Sequence, residues 1–194
     1  MFNSDYVFYG EHATYAKFLC KERGVERDDG VNVFNRVVDL LMVAPLVGVC
    51  KGRFVKQRDT TSEYRNDKST VQLAQIDSER RDLMIIYRLV MLSGPFTSAS
   101  DADRVDQALR FDSTPDSQNP NIEIFNGYVR GGIEYLYESF KGAPLNSENK
   151  KEWINDEIYD LINELSDSDT VEKMDETAIG ISGINELDLD SGEK

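Results

Sequence analysis

One histidine and two cysteines are all that the 194 residues carry of the side chains most used for metal ligation and nucleophilic chemistry near neutral pH. Cys20 and Cys50 are too few and too far apart for a disulfide framework or a zinc cluster. Both fall on apolar stretches and read as small core residues. His12 sits near the amino terminus on the polar side of a helical pattern, so it reads as a surface or capping residue rather than a general base. Long apolar runs are also missing. The longest, VVDLLMVAPLVGVC at 37–50, is interrupted by Asp39 and Pro45 and falls short of the roughly 18 residues a membrane span needs. The start, MFNSDYVFYG, has an acid where a signal peptide carries lysines, and lacks an apolar core. The expectation is a cytoplasmic protein. No glycine-rich phosphate loop is present, because GYVRGG lacks the lysine and the strand-to-helix setting. Asp77, Glu79 and Asp82 cluster where acids simply suit a helix amino terminus. No catalytic residue, cofactor site or metal-ligand cluster is legible, and the chain reads as a non-enzyme.

A basic footprint is lacking too. The net charge is −14, and it is uneven: residues 145–194 hold 15 acids and 4 bases, the first 144 residues 21 and 18. The acidity belongs to the C-terminal part, while the body is close to neutral. That balance argues against a protein that grips the phosphate backbone directly. The one concentration of bases is VCKGRFVKQRD at 49–59, where Lys51, Arg53, Lys56 and Arg58 interleave with Phe54 and Val55. Such a mixture suits a nucleic-acid contact, but a run of this kind is more often a solvated connector.

What is present is helical patterning. EHATYAKFLCKERG at 11–24 has an apolar stripe at Tyr15, Phe18 and Leu19, with Gly24 as its C-cap. Over 31–44, Phe34, Val37, Val38, Leu41 and Met42 recur at helical spacing, and Pro45 is expected to end or kink that helix. A third helix, 77–94, is expected to be capped by Asp77 or Ser78, stopped by Gly94-Pro95 and largely buried, Met84, Ile85 and Leu89 widening its Leu83–Ile86–Tyr87–Val90 face. A shorter one at 101–111 would turn Val105, Ala108 and Leu109 inward, and 112–121 reads as a loop. Residues 147–165 form an amphipathic helix with Trp153, Ile154, Ile158, Leu161 and Leu165 on one side, ready to dock on the body or in a partner groove. The rest is polar, acidic and dotted with glycine. The expected fold is mainly α: a compact domain of five to six helices over 1–144, with room for a short β-hairpin near 49–75, then the 145–165 helix and a flexible acidic tail at 166–194.

One helix poses a puzzle. IFNGYVRGGIEYLYESF at 124–140 keeps its apolar phase across Gly131 and Gly132, although each glycine costs a helix about 1 kcal/mol relative to alanine. Two adjacent glycines clear side chains from a broad arc of helix surface and let another backbone approach. Close helix packing is therefore the expected role of Gly131 and Gly132, with a hinge as the alternative.

Two segments carry a resemblance. VFNRVVDLLMVAPLVGVCKGRFV at 33–55 has a phenylalanine, an aspartate five residues on, an apolar run and a glycine; IFNGYVRGGIEYLYESF has Ile-Phe, an aromatic, Gly-Gly, Ile-Glu and Leu in order. Together, over roughly 31–141, they resemble a family of small accessory proteins encoded beside DNA-phosphorothioation (Dnd-type) restriction genes, with Val129 where that family usually has alanine. The resemblance implies a non-enzymatic accessory or adaptor subunit of an anti-phage defence complex. It would act on other subunits through protein contacts, with DNA touched only indirectly or weakly and no small-molecule substrate. It brings no catalytic residues. From exposure logic, the partner contact would use Lys51, Arg53, Lys56 and Arg58, or the Trp153 helix with Ile154, Ile158 and Leu161. The alternatives are an acidic inhibitor or DNA mimic that blocks a nucleic-acid-binding partner, and a cryptic metal-dependent nuclease.

Overall fold

The computed structural model of the chain describes residues 2–21, 30–56, 66–93, 100–110, 119, 121–144 and 147–166. The elements run β1 (Tyr6–Tyr9), α1 (Gly10–Leu19), α2 (Val37–Cys50), β2 (Lys68–Val71), α3 (Leu73–Ser93), α4 (Asp101–Arg110), α5 (Ile122–Phe140) and α6 (Ser147–Ser166). α2 and α5 lie against each other at the centre. α3 packs on α2, α1 and α6 on α5, and α4 on α3. Among the described residues the fold is thus mainly helical, with one small antiparallel sheet in which Tyr6 faces Val71 and Tyr9 faces Lys68. β2 falls within the 49–75 stretch, but its partner is the amino-terminal strand, so α1 and α2 lie between the two strands in sequence. Gly24, Gly94-Pro95, most of the 112–121 loop and the tail from 167 onward lie outside the described residues.

The centre is built on glycine. A methyl group on Gly132 would come inside 3.0 Å of the Ala44 carbonyl of α2, and one on Gly48 of α2 inside 3.0 Å of the Tyr128 carbonyl of α5. Gly131 meets the Arg53 carbonyl and Gly127 the Phe54 ring in the same way. The small residues thus let α2 and the strand-like 53–55 segment press onto α5. That segment is fixed there by Val55 N–H donating to the Gly127 carbonyl (3.0 Å) and by Arg130 Nε donating to the Val55 carbonyl (2.8 Å).

α2 continues past Pro45 instead of ending there. The proline removes a donor and costs a helix interior about 3 kcal/mol. Against that stand Val38, Leu40, Leu41, Ala44 and Val47, all essentially inaccessible to water; each large one contributes roughly 1.5–3 kcal/mol by burial. Packing between α5 and α3 therefore outweighs the local penalty. Phe34, counted with this helix by its spacing, precedes it in a bridge with Cys20. The helix begins where the Asp39 carboxylate accepts the Arg36 backbone N–H at 3.1 Å, one half of a capping box.

α3 starts four residues before Asp77, with its Leu73 N–H donated to the Asp5 carboxylate at 2.7 Å. Further along, the fully buried Tyr87 hydroxyl accepts from Asn121 Nδ2 (3.1 Å) and Asn119 Nδ2 (3.4 Å), and Asn119 Oδ1 accepts the Asn121 N–H (2.9 Å). This buried network ties α3 to the first turn of α5. Tyr87→Phe keeps the ring and removes the acceptor shared by two buried amides. It is expected to cost about 1–3 kcal/mol in urea denaturation; an unchanged midpoint would show that water serves those amides instead.

Candidate interaction surface

α3 buries Ile76, Leu83, Tyr87, Val90 and Met91. The side facing away from α2 carries Ile85, Leu89 and Leu92, spaced i, i+4, i+7 and 38–46% exposed. This corrects the expectation that Ile85 and Leu89 extend the buried face. The turn of the helix puts them roughly opposite Leu83 and Tyr87. α4 departs from its expected orientation in the same way: Ala108 is buried, while Val105 and Leu109 are about half exposed. Two helices packed on each other thus leave five large apolar side chains in water. The exposed Arg81 lies on α3 at one side of the stripe.

The four bases singled out in the sequence do not form one open basic face. Lys51 is only 7% exposed at its side chain and pairs with Glu164 of α6 at 2.6 Å, beneath the Tyr135 ring. Arg53 pairs with Glu138 at 2.9 Å and also lies over Tyr135. Lys56 is exposed, and Arg58 lies outside the described residues. The Lys51 ammonium holds the Glu164 carboxyl below the ordinary carboxylate range. Burial first, then the hydrogen bond Tyr135 donates to Glu164 (2.9 Å), pushes the Tyr135 phenol up to about 12. Lys51 thus serves as a buried strut to α6, while the half-exposed Arg53–Glu138 pair joins the 51–53 segment to α5 at the surface.

The Trp153 helix is likewise engaged within the chain. Trp153 meets Phe140 edge-on with ring centroids 6.3 Å apart, and Ile154, Ile158, Leu161 and Leu165 pack against the core. What α6 shows outward is Tyr159 and Ile162 together with the exposed acids Glu152, Asp156 and Asp160.

Between the end of α1, the start of α2 and β2 lies an open cleft of about 310 Å³, lined by Lys17, Lys21, Arg36, Lys68 and neighbouring polar side chains. Its cations are in part neutralised locally. Arg36 holds both Asp39 and Glu79, and Lys17 reaches Asp67. Cys20, at the same cleft, is buried, and its thiol is pushed up to about 12 by burial and the nearby Asp39, so it stays protonated and unreactive. Cys50 is a free, half-buried cysteine. His12, expected on the polar side of its helix, is instead 8% exposed, with Nε2 3.1 Å from Glu134 on α5.

No helix of the described residues is long and apolar enough to cross a membrane. No protein-family model, curated protein or solved structure matches this chain.

Proposed function

We propose that this protein is a non-enzymatic accessory subunit that docks on a partner protein through the outward stripe of α3 and α4. The partner belongs to a DNA-modification-linked restriction complex. The carrying observation is the exposure of Ile85, Leu89, Leu92, Val105 and Leu109 on two adjacent helices. An i, i+4, i+7 stripe in water is the form in which one helix offers itself to the apolar face of another. The exposed Arg81 at its edge favours a partner helix whose flank carries carboxylates. The link to restriction rests on the two sequence segments at 33–55 and 124–140. The same segments pack together as the central α2–α5 pair, so they define the scaffold rather than the docking face.

The test is an affinity capture of the tagged full chain from its native host, with nuclease added, alongside Leu89→Glu and Leu109→Glu variants. Restriction or modification subunits encoded beside it are expected to be retained by the wild type and lost with either variant. Both positions are exposed, so the melting temperature should stay within what about 0.5 kcal/mol allows. Recovery of the chain alone, or capture unaffected by both variants, would overturn the reading. A second reading, the acidic inhibitor, gains support from Glu152, Asp156 and Asp160 displayed four residues apart on an ordered helix. Under it, charge reversal on α6 abolishes capture and Leu89→Glu does not.

A further inference from the structure

Glu11 and His12 lie in the first turn of α1, opposite Glu134 in the middle of α5. Gly10 opens the helix with φ +62°, a conformation that favours glycine, and donates its N–H to the Asp67 carbonyl at 3.0 Å. The chain therefore swings from β1 directly into α1, and the first two side chains of the helix meet α5. One turn on, Tyr15 stacks on Tyr137 at 3.9 Å between centroids and 13° between planes, fixing the two helices side by side. The cluster thus stands on two rigid elements rather than on loops.

We propose that Glu11, His12 and Glu134 form a binding site for one divalent transition-metal ion of the Zn²⁺, Mn²⁺ or Fe²⁺ kind. One ligand atom from each residue lies within 4.8 Å of the others. His12 Nε2 and Glu134 Oε1, 3.1 Å apart, already have the spacing of neighbouring ligands. Around an ion held at about 2.1 Å, two adjacent ligands stand roughly 3.0–3.4 Å apart. Glu11 is half-buried and has three side-chain torsions with which to close on the same point. One imidazole with two carboxylates is a donor set for first-row transition metals, and its two negative charges balance a divalent cation. The remaining coordination positions would be filled by water. Bound there, the ion would clamp α1 to α5, which is independent of whatever docks on α3 and α4.

A plain hydrogen bond between His12 and Glu134 would equally tie the helices, and Glu11 tells the two apart. In a simple tether Glu11 has no part; in a metal site it is the third ligand. The experiment uses the full chain stripped with EDTA and then titrated with Zn²⁺ by calorimetry and thermal melting. The expected result is one ion per chain and a raised melting temperature. Glu11→Gln, which keeps the shape of the side chain, is expected to weaken binding at least tenfold, and His12→Gln to abolish saturable binding. Should His12→Gln fail to fold, Glu11→Gln still decides the matter. Absence of saturable binding by the wild type, or Zn²⁺ affinity untouched by Glu11→Gln, would overturn the site.

Discussion

Gly132→Ala is expected to destabilise the protein by about 2–4 kcal/mol, although alanine is the better helix former by about 1 kcal/mol. The sign is decided by what the new methyl group meets. A side-chain tip could turn aside, but here the obstacle is the Ala44 carbonyl, part of the α2 backbone, well inside the 3.0 Å that real Cβ atoms keep. α2 cannot simply retreat, because Gly48 is pressed as closely onto the Tyr128 carbonyl of α5. Relief requires the two central helices to separate along their length and lose dispersion contacts on both sides of the seam. For a chain of this size that corresponds to a drop in melting temperature of roughly 5–15 °C. Gly48→Ala should behave alike, and the double variant should cost less than the sum, since helices already parted leave room for the second methyl. Gly142→Ala is the control: its methyl would meet Trp153 at an ordinary 3.9 Å, and the change should stay within about 0.5 kcal/mol. A Gly132→Ala protein as stable as wild type would mean that α2 and α5 do not approach this closely in solution.

That seam shows how far the amino-acid sequence reaches. The apolar phase through Phe125, Tyr128, Val129, Ile133, Leu136, Tyr137 and Phe140 reads as one helix; six of the seven are buried on it, and Tyr137 is half-buried where it stacks on Tyr15. The reading is reliable because the pattern is local and long. Where the competing influence comes from elsewhere in the chain, local signals mislead. Pro45 is a helix breaker by its own chemistry, yet burial between two helices carries α2 past it. Asp77 and Ser78 look like caps, but Asp5, far away in sequence, supplies the acceptor that starts α3 earlier. On α3 an apolar residue occupies almost every angular sector, so periodicity alone cannot say which part faces water. The position of α2 decides it, and Ile85 and Leu89 are left outside. His12 and Glu134 are 122 residues apart, and no spacing rule joins them. The sole hint is the Gly-Glu-His run itself, in which a glycine precedes two ligand-type side chains at a helix start.

Phe125→Ala is expected to have the other large effect, about 3–5 kcal/mol, because a fully buried ring leaves a cavity that its neighbours cannot fill. The neighbours are specific. Phe2 meets Phe125 edge-on with centroids 5.7 Å apart and planes at 75°, and Tyr87 lies 5.9 Å away at 59°. Phe2 is the less obvious partner. It is 1% exposed although it adopts φ +57°. That left-handed conformation costs a non-glycine residue roughly 1–2 kcal/mol, so the ring's burial must more than offset it. Phe2→Ala keeps the unfavourable backbone and forfeits the compensation, and is expected to release the segment before β1 as well as weaken the core. Because the two rings share one contact, the double variant should be less damaging than the sum of the singles, with a coupling of about 0.5–1.5 kcal/mol. Urea denaturation of the four proteins measures this, provided the slope against denaturant stays constant. A Phe2→Ala protein indistinguishable from wild type, beside a Phe125→Ala protein with its full loss, would show that α5 and α3 complete the core alone. A measurable coupling would instead make the second residue of the chain part of the centre that α5 organises.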